Sequence, residues 1–379
     1  MTTRLMDLGG LQALIDALHR RGYTVLGPTV RDGAIVDAPV RTVGDLPVGW
    51  GDDQDAGRYR LRRRDDDAVF GFASGAQSAK PVFFPTEEVL WRGRRTADGF
   101  DAEPVDPADE APYALLGVRS CDLHAVGIHD TVLRDRTHRD GAYAARRDGA
   151  FVVAVTCGDP GGTCFCVSMD TGPRPRPGHG APYDLALTEL LDDAGHRFLV
   201  EVGSERGLEV VDEIGTAPAG AEDVGLADRV AERAAARMGR TLDTAGLKDL
   251  LYAGVDSPVW DDVAQRCLSC GNCTAVCPTC FCTTVADVTD LGGDAAERAR
   301  VWDSCFNADF THLHGGNVRE STRSRYRQWM THKLGSWVDQ FGMSGCVGCG
   351  RCVTWCPAAI DITEEAAALR REAAGEERP

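Results

Sequence analysis

Cysteine supplies the obvious chemistry here: 15 of the 379 residues are cysteine, and most fall in patterned runs. "CLSCGNCTAVCP" (267–278) and "CVGCGRCVTWCP" (346–357) both read C-x2-C-x2-C-x3-C-P. Three thiolates at two-residue intervals let one tight loop cover three corners of a [4Fe–4S] cubane. In the bacterial ferredoxin pattern the fourth cysteine of each run serves the other cluster. The spacing predicts one ligand set of Cys267, Cys270, Cys273 and Cys356 and a second of Cys346, Cys349, Cys352 and Cys277. Gly271 and Gly350 are expected to relieve crowding where backbone meets the inorganic core, and the proline after each fourth cysteine turns the chain away. Zinc is the competing four-thiolate metal, but its sites show paired C-x2-C knuckles rather than triple runs closed by Cys-Pro.

The elements that must carry these residues differ along the chain. "YALLGV" (113–118) and "FVVAV" (151–155) read as buried strands, each ending just before a cysteine, Cys121 and Cys157. "DLHAVGIHD" is expected to be helical, and "GAIVDAPV", "AVFGFAS", "RFLVEVG" and "GLEVVDEI" to be strands. "GDLPVGWGDDQDAGRYRLRRRDDD" reads as a loop ending in solvated charge blocks. From about residue 222 the composition turns to helix formers and cysteine loops, so the boundary is placed within 216–222, at "TAPAGAED". The expected fold is α+β: an N-terminal α/β domain over 1–218, then an α-helical ferredoxin-like domain over 219–379 with two [4Fe–4S] clusters. The segment between the two cysteine runs is expected to be largely helical. Its Arg319, Arg323, Arg325, Arg327 and Lys333 form either a solvated face or a docking face. His312 and His314 are expected on the surface, and Trp260, Trp302, Trp329, Trp337 and Trp355 around the clusters.

The bulk numbers narrow the class. A net charge of −17 argues against binding nucleic acid, which rests on phosphate neutralisation. Leu11, Leu14, Ile15 and Leu18 recur at helical spacing, which marks an amphipathic helix rather than a signal peptide. No apolar run approaches a membrane span. The expected location is the cytoplasm, where disulfides are disfavoured and fifteen cysteines call for a metal.

With these residues in view the chain resembles a known family. "CLSCGNCTAVCPTCFC", "VWDSC", "HKLGSWVDQFGMSGCVGCGRCVTWCP", "GVRSCDLHAVGIHD" and "CGDPGGTCFCVSMDTGP" are similar to the beta subunit of cytosolic sulfhydrogenase-type nickel–iron hydrogenases, a family that includes the A subunit of anaerobic sulfite reductase. The resemblance spans nearly the whole chain. It implies an electron wire between a flavin subunit that handles NAD(P)H and the hydrogenase small and large subunits, or the corresponding sulfite reductase subunits. The sequence agrees by what it lacks: no G-x-G-x-x-G follows a strand, and there is no phosphate-binding loop or nickel–iron motif. Neither a flavin nor a nicotinamide motif is present, and no catalytic base or nucleophile is expected. A reductase acting through a flavin or a thiol in the N-terminal domain is the alternative from another class.

The two runs use eight cysteines and leave seven. Cys121, Cys157, Cys164 and Cys166 would meet at one sheet edge if the two cysteine-ended strands are parallel, since open α/β sheets build sites there. Cys164 and Cys166, two apart, can face one way. A third [4Fe–4S] cluster is the expectation for these four, with buried thiols or zinc as alternatives. Cys280, Cys282 and Cys305 stay unassigned: packing is the default, with Asp303 an unusual fourth ligand if they bind metal.

Overall fold

The computed structural model describes residues 2–105 and 111–376. Its main sheet has eight strands, in the order Ala217–Pro218, Thr3–Asp7, Gly195–Val202, Leu185–Asp192, Phe151–Val155, Tyr113–Arg119, Thr24–Arg31 and Ala34–Pro39. The four from Leu185–Asp192 to Thr24–Arg31 run parallel, and the outer strands are antiparallel. Phe151–Val155 is buried at every position, as a central parallel strand covered on both faces must be. The helix Leu8–Arg20 presents Leu11, Leu14, Ile15 and Leu18 to this sheet, and its Asp7 cap accepts from Gly10 N at 2.8 Å.

Tyr113–Arg119 and Phe151–Val155 pair in parallel, with Arg119 opposite Val155. Cys121 and Cys157 therefore each stand two residues past one register line, on the same sheet edge. Cys121 lies in the first turn of the helix Ser120–His129, where "DLHAVGIHD" was read as helical.

Three local expectations are corrected. "AVFGFAS" (68–74) is not a strand but a buried irregular segment. Side chains replace the ladder there: Glu189 accepts from Val69 N and Phe70 N (2.6 and 2.9 Å), and buried Arg119 donates to the Phe70 and Phe72 carbonyls (3.0 and 2.9 Å). "GLEVVDEI" forms the helix Glu205–Glu213, not a strand. Ser204 caps it through Gly207 N, and Gly207, Val210 and Val211 face the core at helical spacing despite the β-branched pair. The charged loop contains a hairpin, Trp50–Asp55 with Arg58–Arg63, whose turn residue Gly57 donates from its N–H to the Val353 carbonyl at 3.1 Å.

The largest correction falls after residue 222. The expected helical content breaks at Thr283–Thr289 and Ala295–Trp302, which pair with Glu87–Thr96 and Gly99–Pro104 in an antiparallel four-stranded sheet. Helix formers in "AAERARVW" are overridden by cross-strand partners such as Arg298 with Asp287 and Arg92 with Glu297. The architecture is thus a mixed α/β protein with several sheets, one built from both halves of the chain. The helix Ala221–Ala236 also packs Ala227 against Leu190 and Leu199 of the main sheet. Helices Leu247–Ala253, Val259–Arg266, Thr322–Thr331 and Ile362–Ala373 close a second core around Trp260, Trp329, Met330 and Leu369.

Candidate metal centres

Both cysteine runs fold the same way. The helix Val259–Arg266 ends at Cys267, whose N–H bonds Val263 O at 2.9 Å. Gly271 then adopts φ +72° and caps the short helix Asn272–Ala275. In the second run Gly350, at φ +76°, caps Arg351–Thr354. Backbone N–H groups turn toward the thiols: Ser269 N to Cys267 Sγ and Ile360 N to Cys356 Sγ at 3.4 Å, and Gly348 N to Cys346 Sγ at 3.5 Å. Such amides hold and tune thiolate ligands. Gly350 serves a purpose the sequence did not suggest, since a Cβ there would strike the Thr163 carbonyl.

Cys267, Cys270, Cys273 and Cys356 line one cavity together with Cys352, Phe306, Tyr326, Trp329, Ile360 and Ile362. Tyr326 Oη, Trp329 Nε1 and Trp355 Nε1 are buried without a hydrogen-bond partner. A buried donor left unpaired costs about 1–3 kcal/mol. The sulfurs of a cluster held there would offer acceptors to Tyr326 and Trp329, which line the cavity, so the lining fits an iron–sulfur group. Among the described residues no three His, Cys, Asp or Glu side chains close tightly enough to hold a single ion. Thiols spread around a chamber suit a polynuclear cluster better than zinc, which draws sulfurs to about 2.3 Å from one centre.

Cys277 lies close to the second run. Its thiol, with those of Cys346 and Cys349, lies within electrostatic reach of Cys352. Desolvation pushes Cys346 up to about 12 and raises Cys349 and Cys352. Cys277 goes the other way: a hydrogen bond from Cys280 and the Lys333 ammonium hold it well below the ordinary thiol value. Lys333 Nζ lies 3.1 Å from Cys277 Sγ and 2.9 Å from Thr279 Oγ1. Lys333 is buried at 5% exposure, which corrects its place in a basic surface stretch. Three of the four arginines of that stretch are also engaged within the chain: Arg325 donates to Phe306 O, Arg327 to Val255 O, and Arg323 to Ser257 O.

The structure also brings the strand-end cysteines together. Cys121 and Cys166 share a buried apolar group with Cys349, Val347 and Trp337. Cys164 lies in electrostatic reach of Cys157 and Cys166, and its thiol points to the Cys349 carbonyl at 3.7 Å. Desolvation raises all four thiols, Cys166 to about 12. The segment Thr163-Cys164-Phe165-Cys166 lies directly on the second ferredoxin loop: Phe165 N bonds Gly348 O at 2.8 Å, and Thr163 Oγ1 meets Thr354 Oγ1 at 2.6 Å. Cys164 and Cys166 do not sit in an extended strand, because Cys166–Met169 forms a 3-10 turn. Sequence reasoning missed Arg351, which is 2% exposed and forms a bidentate pair with Asp122 at 2.7 and 2.9 Å, tying the second loop to the Cys121 helix.

Two cysteine loops of one conformation, one of them around a chamber lined by buried unpartnered donors, define an iron–sulfur electron-transfer protein. Residues 266–360 match the family described as a 4Fe-4S dicluster domain. The chain is 37% identical over 289 residues to sulfhydrogenase 2 subunit beta of Pyrococcus furiosus, covering 74% of this chain and 81% of that protein. No solved structure matches. The chain belongs to the sulfhydrogenase beta-subunit family.

Proposed function

We propose that this chain is the electron-transfer subunit of a cytoplasmic, NAD(P)H-linked nickel–iron hydrogenase complex. It relays electrons between a flavin subunit and the hydrogenase small and large subunits. In this reading Cys267, Cys270, Cys273 and Cys356 hold a first [4Fe–4S] cluster and Cys346, Cys349, Cys352 and Cys277 a second. Cys121, Cys157, Cys164 and Cys166 hold a third. When bound, the clusters supply reversible one-electron transfer.

The observation that carries the reading is the contact order of the three thiol sets. Cys352, a ligand of the second set, lines the cavity of the first. Cys349 packs with Cys121 and Cys166 of the third. The sets are therefore adjacent in a line. The chain's own residues hold and dry that line: Phe306, Tyr326 and Trp329 wall the first chamber, and the Arg351–Asp122 pair fixes the second loop against the third set. Cys270 is exposed and Leu268 is 67% exposed, so the first set faces outward and offers the end where a partner exchanges electrons.

The test uses the anaerobically purified complex. Cys270→Ala is expected to abolish hydrogen-driven NAD(P)+ reduction while dye-linked hydrogen oxidation by the large subunit continues. Coupled turnover at the wild-type rate would defeat the reading. For the third set, Cys164→Ala is expected to lower the iron count by about four. An unchanged count removes that cluster and leaves the other two.

A further inference from the structure

Cys280, Cys282 and Cys305 belong to none of the three sets above. Cys280 and Cys282 stand two residues apart at the entry to the strand Thr283–Thr289, on either side of Phe281. Phe281 packs against His129 and Trp337, at ring separations of 6.2 and 6.1 Å. The strand pairs with Ala295–Trp302, Thr283 opposite Trp302, and Asp303 N continues the ladder to Cys282 O at 2.8 Å. Carried one residue past Trp302, that register sets Asp303 opposite Cys282 at the open end of the hairpin, with Cys305 two residues further on, while the Cys280 thiol hydrogen-bonds Cys277. The Cys282 and Cys305 thiols hydrogen-bond each other.

A second, independent observation concerns charge. Lys80 is 4% exposed and Lys333 is 5% exposed, and among the described residues neither has a carboxylate partner. A buried ammonium without a counter-charge costs several kcal/mol. Lys333 sits on Cys277 Sγ and is answered by the second cluster. Lys80 is not. Its Nζ donates to the Cys280 and Ala275 carbonyls at 3.2 and 3.4 Å and lies 3.7 Å above the Trp302 ring. Burial works against its charge, and the thiols of Cys280, Cys277 and Cys282 lie within its electrostatic reach.

We propose that Cys280, Cys282 and Cys305 are three thiolate ligands of an additional iron–sulfur cluster, with Lys80 as its buried counter-charge and Asp303, opposite Cys282, as the non-cysteine fourth position. The site lies beside Cys277, so it exchanges single electrons with the second cluster. This inference rests on the chain being an iron–sulfur protein but not on the third set.

The experiment is alkylation and iron counting on the full chain, purified anaerobically with its partners. In the native protein Cys282 and Cys305, both partly exposed, should resist iodoacetamide until iron is chelated, as read by mass spectrometry. Cys282→Ala and Cys305→Ala should each lose about four irons, and adding Cys346→Ala should remove about four more. Lys80→Met should retain iron and make the additional cluster harder to reduce. Native alkylation of Cys282 and Cys305 at the rate seen in denatured protein would overturn the proposal. So would an iron loss not additive with Cys346→Ala, because that iron would then belong to the second cluster. Either failure leaves the loss expected from Cys164→Ala untouched, so it is distinct from failure of the third set.

Discussion

The two ferredoxin runs share a spacing and a local conformation, and almost nothing else. Each places a left-handed residue two positions after its first cysteine, Ser269 and Gly348, and a left-handed glycine before its short helix, Gly271 and Gly350. Equivalent positions then diverge. Leu268 is 67% exposed where Val347 is 3%, and Cys270 is exposed where Cys349 is buried. Asn272 bonds the Trp355 carbonyl of the other run, whereas Arg351 reaches into the N-terminal half for Asp122. Local sequence writes the loop; the surroundings decide which loop is exposed and which is sealed inside.

That asymmetry can be broken in order of size. Arg351→Met should be the most damaging change, because it leaves Asp122 buried and unpaired; a loss of about 3–5 kcal/mol is expected. Anaerobic denaturant unfolding measures it, and Asn272→Leu in the first run should cost far less. Gly350→Ala should cost about 1–3 kcal/mol, since the residue holds φ +76° against the Thr163 backbone. Gly271→Ala should cost less by the same assay, because its Cβ would meet the movable Ser304 hydroxyl at 3.0 Å.

Lys333→Met removes a buried positive charge 3.1 Å from Cys277 Sγ, and reduction adds negative charge to that site. The second cluster should become harder to reduce by about 60 mV, one tenfold step for a one-electron couple. The first should shift less, and EPR-monitored redox titration separates the two. The smallest effect is expected from Leu268→Ser. This exposed position should change stability by no more than about 0.5 kcal/mol and leave the iron count intact. Slower electron exchange with the partner complex should be its only consequence.

Much of the site was legible because its signals are local. The C-x2-C-x2-C-x3-C-P runs fix a loop within a dozen residues. Apolar strands ending just before Cys121 and Cys157 revealed a shared sheet edge, since parallel neighbours end together. The misreadings share one cause. "AVFGFAS" has strand composition, but its backbone is satisfied by Glu189 and Arg119 from distant elements. "AAERARVW" has helix composition, but Glu87–Thr96 was waiting as a strand partner some two hundred residues upstream. Lys333 looked like surface charge because five cations occur in one polar stretch, and nothing local shows that it faces Cys277.

The sequence by itself determined that the chain is an iron–sulfur protein with two repeated cysteine loops, and it pointed to four more cysteines at the end of a parallel sheet. Those facts follow from spacing and period, which act over a few residues. Only the tertiary structure decided which loop is buried and that the segment 163–166 lies on the second ferredoxin loop. It alone placed two lysines among thiols with no carboxylate partner among the described residues. Burial and charge compensation are sums over groups far apart in sequence, and a linear pattern does not carry them.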